Sequence, residues 1–195
     1  NEINKLSKLV KPHIGIITNV SEAHLENFKN IKGIAKAKSE IICNIQKNGT
    51  IILNRDDKFF YYLSNLARKK KIKILSFGKS KKADISLIKN KKNGKNNILK
   101  IRAIDETLFL NSNSNSDLDI SNILCCIAVL KILNLNIKKL GRFFESMHSL
   151  SGRGKMHDVA RYKTKFKLID ESYNANPLSV KNAITNLSKI KKNNC

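Results

Sequence analysis

The chain has 195 residues, of which 41% are hydrophobic and 27% charged, and its formal net charge is +23. This balance supports a packed core and excludes a wholly disordered chain, and no apolar run approaches the roughly 18 residues that a membrane-spanning helix requires. The small number of Gly (8) and Pro (2) excludes a collagen-like chain, and 4 Cys, two of them adjacent, are not typical of a secreted disulfide framework.

The positive charge at first suggests a nucleic-acid-binding surface. However, 32 Lys, 25 Asn and 26 Ile together fill 83 positions, whereas Arg fills only 6. The three abundant residues have A/T-rich codons, so a biased genome raises them together, whereas a dedicated nucleic-acid surface favours Arg and exposed aromatics. We therefore favour compositional drift and expect no nucleic-acid partner. A lysine-rich nucleic-acid-binding protein remains the alternative.

Strands and helices alternate in the first part of the chain. The segment 31–45 is the clearest helix, because its isoleucines recur on one face at steps of 3, 7 and 4. Asp56 and Asp57 are expected to open the next helix, with their carboxylates at its positive end. The predicted elements are a strand in 10–18, a loop over 19–28, the helix over 31–45, a strand at 50–53, a helix over 56–67 and a strand over 72–77. This alternation predicts an α/β domain with a largely parallel sheet.

The pattern changes after residue 83. Short, partly alternating segments in 83–110 predict antiparallel strands with a turn at 91–95, and the repeat NSNSNS at 111–116 predicts a loop. A break at 149–154 is the predicted domain boundary, which gives domains 1–150 and 151–195. The remaining predicted elements are helices over 119–133 and 137–147, strands near 158–162 and 166–169, a turn at 174–177 and a helix over about 179–190.

Lys38 is the first candidate functional residue, since it interrupts the apolar face of the 31–45 helix between Ile34 and Ile41. Burial lowers the pKa of an amine and favours its neutral form. A neutral amine can act as a general base, form a Schiff base, or add carbon dioxide to become a carbamate, which is a carboxylate-like metal ligand. The alternative is that Lys38 lies at the edge of the face and reaches solvent.

Three further segments combine polar side chains with strand ends or glycines. Residues 22–26 (EAHLE) follow the first strand and offer metal-ligating groups, with a solvated helix cap as the alternative. Residues 170–177 (DESYNANP) follow another strand and suit ligand contact, with an ordinary turn as the alternative. Gly152-Arg153-Gly154 pairs a permissive backbone with a side chain suited to phosphate, which is weak evidence by itself.

Two of these stretches resemble the Mur ligase family. The run TNVSEAHLENFKNIKGIAKAKSEI at 18–41 resembles its central ATPase domain, and DESYNANP at 170–177 resembles the opening of the C-terminal domain in MurF-type members. SYNANP distinguishes that type from relatives with a D-Y-A-H-type sequence at this place. The resemblance implies a truncated central ATP-binding domain over 1–150, with a mostly parallel sheet, helices and a small antiparallel part. It also implies that 151–195 begin a Rossmann-like C-terminal domain.

The resemblance implies a cytoplasmic, monomeric, ATP-dependent amide ligase of peptidoglycan precursor synthesis that uses ATP and Mg²⁺. Such an enzyme phosphorylates the terminal carboxylate of a UDP-N-acetylmuramoyl-tripeptide, and D-alanyl-D-alanine then attacks the acyl phosphate. The alternative within the superfamily is a ligase that adds another amino acid or polyglutamate. A substrate panel would separate the two.

The family's functional residues carry over by motif. Lys38 corresponds to the lysine that becomes carbamylated, and Glu2 and His24 correspond to magnesium ligands. Arg153 corresponds to an arginine that reaches ATP, so the implied catalytic residues are Lys38, His24 and Arg153. The implied nucleotide contacts are Asn54, Asp57, Asn122, Arg153 and Glu171, and the implied substrate contacts are Tyr173, Asn174 and Asn176.

Several family features are missing from this sequence. The phosphate loop G-x-x-G-K-[ST] and the domain that binds the uridine nucleotide are absent, and the family's G-x-H-N-x-x-N segment appears at 116–122 with only Asn122 kept. The chain begins at Asn1 rather than Met and ends at Cys195. We therefore expect a fragment that does not turn over by itself.

Overall fold

The computed structural model describes residues 2–21, 28, 30–94, 96–113, 116–145, 151–152, 154–161, 164–173 and 177–190. The chain divides into two compact units, Asn1–Ser146 and Met147–Cys195. The assignment of residues 1–150 and 151–195 to a central and a C-terminal domain stays a prediction.

The first unit is built around one six-stranded sheet in the order β1-β2-β3-β4-β5-β6. Strands β1 to β4 pair in parallel, whereas β4, β5 and β6 pair in antiparallel fashion. The predicted fold class, a mostly parallel sheet with a small antiparallel part, is therefore confirmed. The elements are α1 Glu2–Val10, β1 Ile14–Ile17, α2 Ile31–Cys43, β2 Thr50–Asn54, α3 Phe60–Lys69, β3 Lys73–Gly78, β4 Ile85–Asn93, β5 Asn96–Ala103, β6 Glu106–Ser112, α4 Asp117–Ile132 and α5 Ile137–Glu145.

Strand β2 shows how the sheet holds helices on both faces. Ile51, Ile52 and Leu53 are all fully buried, and successive side chains of a strand point to opposite faces. Ile51 and Leu53 pack in the core cluster that includes α2 and α3, whereas Ile52 packs in the cluster that includes α4 and α5. A strand buried on both faces has a continuous apolar run, which is why 50–53 lacks alternation.

The structure corrects several predicted boundaries. Helix α3 begins at Phe60 rather than at Asp56, because Asp57 accepts the N–H of Phe59 in the preceding turn and Asp56 accepts the N–H groups of Lys79 and Ser80 after β3. The predicted turn at 91–95 is shorter, since β4 continues to Asn93. The predicted loop at 111–116 is shorter as well, because β6 includes residues 111 and 112. Helix α1 was not predicted.

The second unit, taken by itself, contains a hairpin and a helix among its described residues. Strand β7 (Lys155–Arg161) pairs in antiparallel fashion with β8 (Thr164–Asp170), with Lys155 opposite Asp170, and α6 spans Pro177–Ile190. These elements agree with the predicted strands and helix, although all three begin earlier than predicted.

Candidate functional site

The carboxyl ends of β1, β2 and β3 lie at one edge of the sheet, because the three strands run in parallel. This is the edge at which open α/β sheets bind ligands. The segments that follow the three strands begin at Thr18, Arg55 and Lys79. Hydrogen bonds join these three segments to one another, so the loops at this edge are not independent.

Lys38 reaches this edge from α2. Its Nζ donates a hydrogen bond of 2.8 Å to the backbone carbonyl of Asn19, which lies in the segment after β1. The residue is half-buried. Burial lowers the pKa of the Lys38 amine below its ordinary value, and the Asp57 carboxylate opposes that shift. The lowered pKa makes the neutral amine needed for carbamate chemistry more accessible than in an exposed lysine.

Asn54 and Asp57 bind the segment after β1 to the turn after β2. The Asn54 side-chain amide donates to the carbonyl of Thr18 over 3.0 Å, and the amide N–H of Val20 donates to Asp57 Oδ2 over 2.6 Å. The second oxygen of Asp57 accepts the N–H of Phe59 over 2.8 Å. Asp57 therefore uses both carboxylate oxygens on the protein backbone.

Asp56 makes the corresponding connection to the segment after β3. Its two oxygens accept the N–H groups of Lys79 and Ser80, over 2.5 and 2.9 Å. Gly78 permits this approach, because a Cβ at that position would lie only 2.7 Å from Asp56 Oδ2. Lys79 then forms an ion pair of 2.8 Å with Asp117 in the first turn of α4.

Arg55 lies between these two aspartates, and its side chain packs on aromatic rings instead of on a carboxylate. The guanidinium carbon lies 4.2 Å from the ring centroid of Phe60 and 5.1 Å from that of Tyr61. Such contacts between a cation and an aromatic face are attractive. Arg55 therefore helps to hold the start of α3 against the turn after β2.

The other residues predicted to bind metal or nucleotide in this unit are less constrained. Glu2 is exposed in the first turn of α1. Both Glu2 and Lys38 lie within the described residues, and neither a hydrogen bond nor an ion pair joins their side chains. Asn122 is exposed on α4. His24 lies outside the described residues. Within the described ranges, no three His, Cys, Asp or Glu side chains cluster in a way that could hold a metal ion.

In the second unit, Glu171 and Tyr173 are both exposed just after β8, while Arg153, Asn174 and Asn176 lie outside the described residues. Tyr173 also donates its backbone N–H to the carbonyl of Gly152 over 3.1 Å. This bond joins the segment after β8 to the one before β7 within the unit.

Two aspartates organise these segments in a way that was not predicted from the sequence, Asp56 and Asp170. Asp170 accepts the N–H of Gly152 over 2.8 Å and the hydroxyl of Ser172 over 2.6 Å. These bonds, with that of Ser172 first, lower the pKa of the Asp170 carboxyl to about 2. The available signal was that Asp56 lies two residues after the end of β2 and Asp170 ends β8, where Asx turns are common.

The fold and this edge define an α/β protein whose candidate binding loops follow parallel strands. The family model described as the Mur ligase middle domain matches residues 1–130. The chain therefore belongs to the Mur ligase family.

Relatives and solved structures agree with this assignment. A UDP-N-acetylmuramoyl-tripeptide--D-alanyl-D-alanine ligase of Rickettsia prowazekii is 29% identical over 194 residues, which are 99% of this chain and 42% of that protein. The crystal structure of MurF from Acinetobacter baumannii is 26% identical with a TM-score of 0.84, over 96% of this chain and 40% of that one. MurF from Thermotoga maritima in complex with ADP shares the fold, with a TM-score of 0.80 at 23% identity, over 96% and 42% of the two chains. The chain thus spans about two fifths of the length of these relatives.

The helices in the described ranges are too short or too polar to cross a membrane.

Proposed function

We propose that this chain supplies part of an ATP-dependent ligase that joins D-alanyl-D-alanine to a UDP-N-acetylmuramoyl-tripeptide in the cytoplasm. The observation that carries the proposal is Lys38, half-buried and hydrogen-bonded at the carboxyl edge of the parallel strands. The MurF-type motif at 170–177 and the Rickettsia relative favour the D-alanyl-D-alanine substrate over those of other family members.

Lys38 in this proposal adds carbon dioxide, forming an N–C bond and releasing one proton. The lowered pKa of its amine favours this step, because only the neutral amine has the lone pair that attacks carbon. Glu2, His24 and the carbamylated Lys38 would hold Mg²⁺, which neutralises phosphate charge during phosphoryl transfer. Of these three, Lys38 supports the proposal most directly, since its Nζ donates a hydrogen bond to the Asn19 carbonyl.

The proposed reaction has two steps. The terminal carboxylate of the tripeptide attacks the γ-phosphate of ATP, which gives an acyl phosphate and ADP. The amine of D-alanyl-D-alanine then attacks the acyl carbon and phosphate leaves, so that an amide forms. Arg153 steadies charge on the transferring phosphate. Asn54, Asp57, Asn122 and Glu171 are proposed at the nucleotide, and Tyr173, Asn174 and Asn176 at the peptide substrates.

The test replaces Lys38 in a full-length enzyme that includes this chain. Lys38→Ala should abolish ADP release that depends on both substrates, and added short-chain carboxylic acids should restore part of it. Lys36→Ala is the matched control, because Lys36 is exposed on the same helix. In parallel, this chain equilibrated with ¹³C-bicarbonate should give a carbamate NMR signal that Lys38→Ala removes. Full activity of the Lys38→Ala enzyme would rule out the carbamate role.

The substrate assignment is tested separately. With the tripeptide substrate and ATP, the full-length enzyme should release ADP with D-alanyl-D-alanine and not with glutamate or diaminopimelate. A preference for either of those amino acids would favour the alternative, another ligase of the same superfamily.

A further inference from the structure

Asp56 and Asp57 share an unusual arrangement, since each uses both carboxylate oxygens to bind backbone amides of the edge. Asp57 accepts Val20 and Phe59, and Asp56 accepts Lys79 and Ser80. The two neighbours therefore bind different segments, one after β1 and one after β3. Hydrogen bonds to a carboxylate are stronger than those between neutral groups, so each aspartate holds its backbone partners firmly in place.

The hydrogen bond of Asp57 to Val20 lies directly beside the hydrogen bond of Lys38 to Asn19. The peptide group between Asn19 and Val20 carries both interactions: its carbonyl oxygen accepts Lys38 Nζ, and its N–H donates to Asp57 Oδ2. A peptide group is planar. Fixing its N–H therefore fixes the direction in which its carbonyl points, and with it the position available to the Lys38 amine.

We propose that Asp57 is a positioning residue, which orients the Asn19–Val20 peptide group so that its carbonyl holds Lys38 in place. Asp56 serves the segment after β3 in the same way and does not act on Lys38. The role of Asp57 in catalysis rests on the proposed function, whereas its control of the peptide group does not. Asp57 accordingly acts on Lys38 through the backbone, since its two carboxylate oxygens accept backbone N–H groups.

The geometry also explains why this position needs a carboxylate. An asparagine has one acceptor oxygen and one amino group, so it can accept from Val20 or from Phe59 but not from both. Asp57→Asn therefore leaves one backbone N–H without its partner while keeping the side chain's size. Asp56→Asn makes the same chemical change one residue away, which makes it a matched control.

The first experiment measures amide hydrogen exchange by NMR in this chain and its two variants. Asp57→Asn should speed the exchange of either the Val20 or the Phe59 amide, whichever loses its acceptor, by about ten- to a hundredfold and leave the Lys79 and Ser80 amides unchanged. Asp56→Asn should produce the reverse pattern. The amides of Ile51 and Ile52 in the buried strand β2 report whether each variant is folded.

Two outcomes would overturn the proposal: unchanged Val20 and Phe59 amides in Asp57→Asn, or equal loosening of Val20 in both variants. If Asp57→Asn does not fold, the unmodified chain still provides a test. A scalar coupling across the hydrogen bond should connect the Val20 nitrogen with the Asp57 carboxylate carbon, and its absence would overturn the proposal as well.

The second experiment measures kinetics in a full-length enzyme that includes this chain. Asp57→Asn should lower kcat at least tenfold while the KM for D-alanyl-D-alanine stays within about twofold, because the peptide substrate is not touched. The value of kcat is expressed per folded enzyme molecule, because a merely structural role would lower the amount of folded enzyme and leave kcat per folded molecule and KM unchanged. If Lys38→Ala remains active but Asp57→Asn loosens Val20, the proposed carbamate role of Lys38 fails and the positioning of the peptide group stands.

Discussion

A single carboxylate organises the turn at the open end of the second unit's hairpin. Asp170 ends β8 and binds both the segment before β7, at Gly152, and the residue two positions on, Ser172. Gly152 is required there, because its φ is +76° and a Cβ would lie 2.8 Å from the Cβ of Tyr173. The hydrogen bonds favour the ionised form of Asp170, and they disappear when the group is protonated.

Acid should therefore loosen this turn at an unusually low pH. The folded pKa of Asp170 is lowered to about 2 from an ordinary value of 3.8. Its stabilising contribution is fully present above the unfolded value and is lost as the pH falls through about 2. A pH titration of the Asp170 carboxyl carbon by NMR checks this, and the Gly152 amide should shift with the same midpoint. Asp170→Asn should remove that shift of the amide, and a midpoint near 4 would contradict the prediction.

At the scale of elements, the ends of helices are set by side chains that the apolar pattern does not reveal. Helix α4 begins at Asp117 because Ser116 caps it: the Ser116 hydroxyl oxygen accepts the N–H groups of Leu118 and Asp119. Asp117 and Asp119 place negative charge in the first turn, where the helix dipole is positive. This helix carries Ile120, Ile123 and Leu124 into the core on one face of the sheet.

Removing the Ser116 cap should destabilise the first unit measurably. Ser116→Ala is expected to lower the free energy of unfolding by about 1 kcal/mol, since the amides of Leu118 and Asp119 lose their side-chain acceptor. Ser116→Asp is the control, because aspartate is an equally good capping residue and should keep most of the stability. Urea denaturation of the two variants measures the difference. Equal stability of Ser116→Ala and the unmodified chain would show that the cap contributes nothing.

At the scale of the whole molecule, charge is the property that stands out. The chain has 38 Lys and Arg against 15 Asp and Glu. Several described lysines project from the antiparallel part of the sheet, including Lys89, Lys91 and Lys92, which are exposed on β4. Compositional drift as the source of the lysines, without a nucleic-acid role, stays a prediction.

The chain should accordingly bind duplex DNA or RNA only through its general charge. We expect weak binding at low salt that disappears at about 0.15 M salt, because phosphate contacts release counterions and weaken steeply with ionic strength. Filter binding or fluorescence anisotropy over a salt series measures this, with duplexes of two unrelated sequences as a control for specificity. Tight binding that persists at physiological salt, or a clear sequence preference, would favour the nucleic-acid-binding alternative.

Much of the architecture could be predicted from periodicity. The helix over 31–45, the strand at 50–53 and the antiparallel segments in 83–110 all appear within a few residues of their predicted positions. Helix α1 was not predicted, because the sequence offers no strong helix-start signal before it. Its apolar residues are regularly spaced, but Leu6 and Leu9 are exposed in the structure and do not form a core face. The start of α3 was misplaced because an aspartate pair can either cap a helix or bind another segment.

The amino-acid sequence by itself determined the family, the α/β class and Lys38 as the candidate amine, because these depend on local motifs and on the period of apolar residues. Only the tertiary structure decided what surrounds that amine. The partners of Asp57 and Asp56 at the edge, Val20, Lys79 and Ser80, lie 37, 23 and 24 residues away in the chain. Contacts of that separation form when parallel strands bring their carboxyl ends together, and no local pattern encodes which distant amide an aspartate will bind.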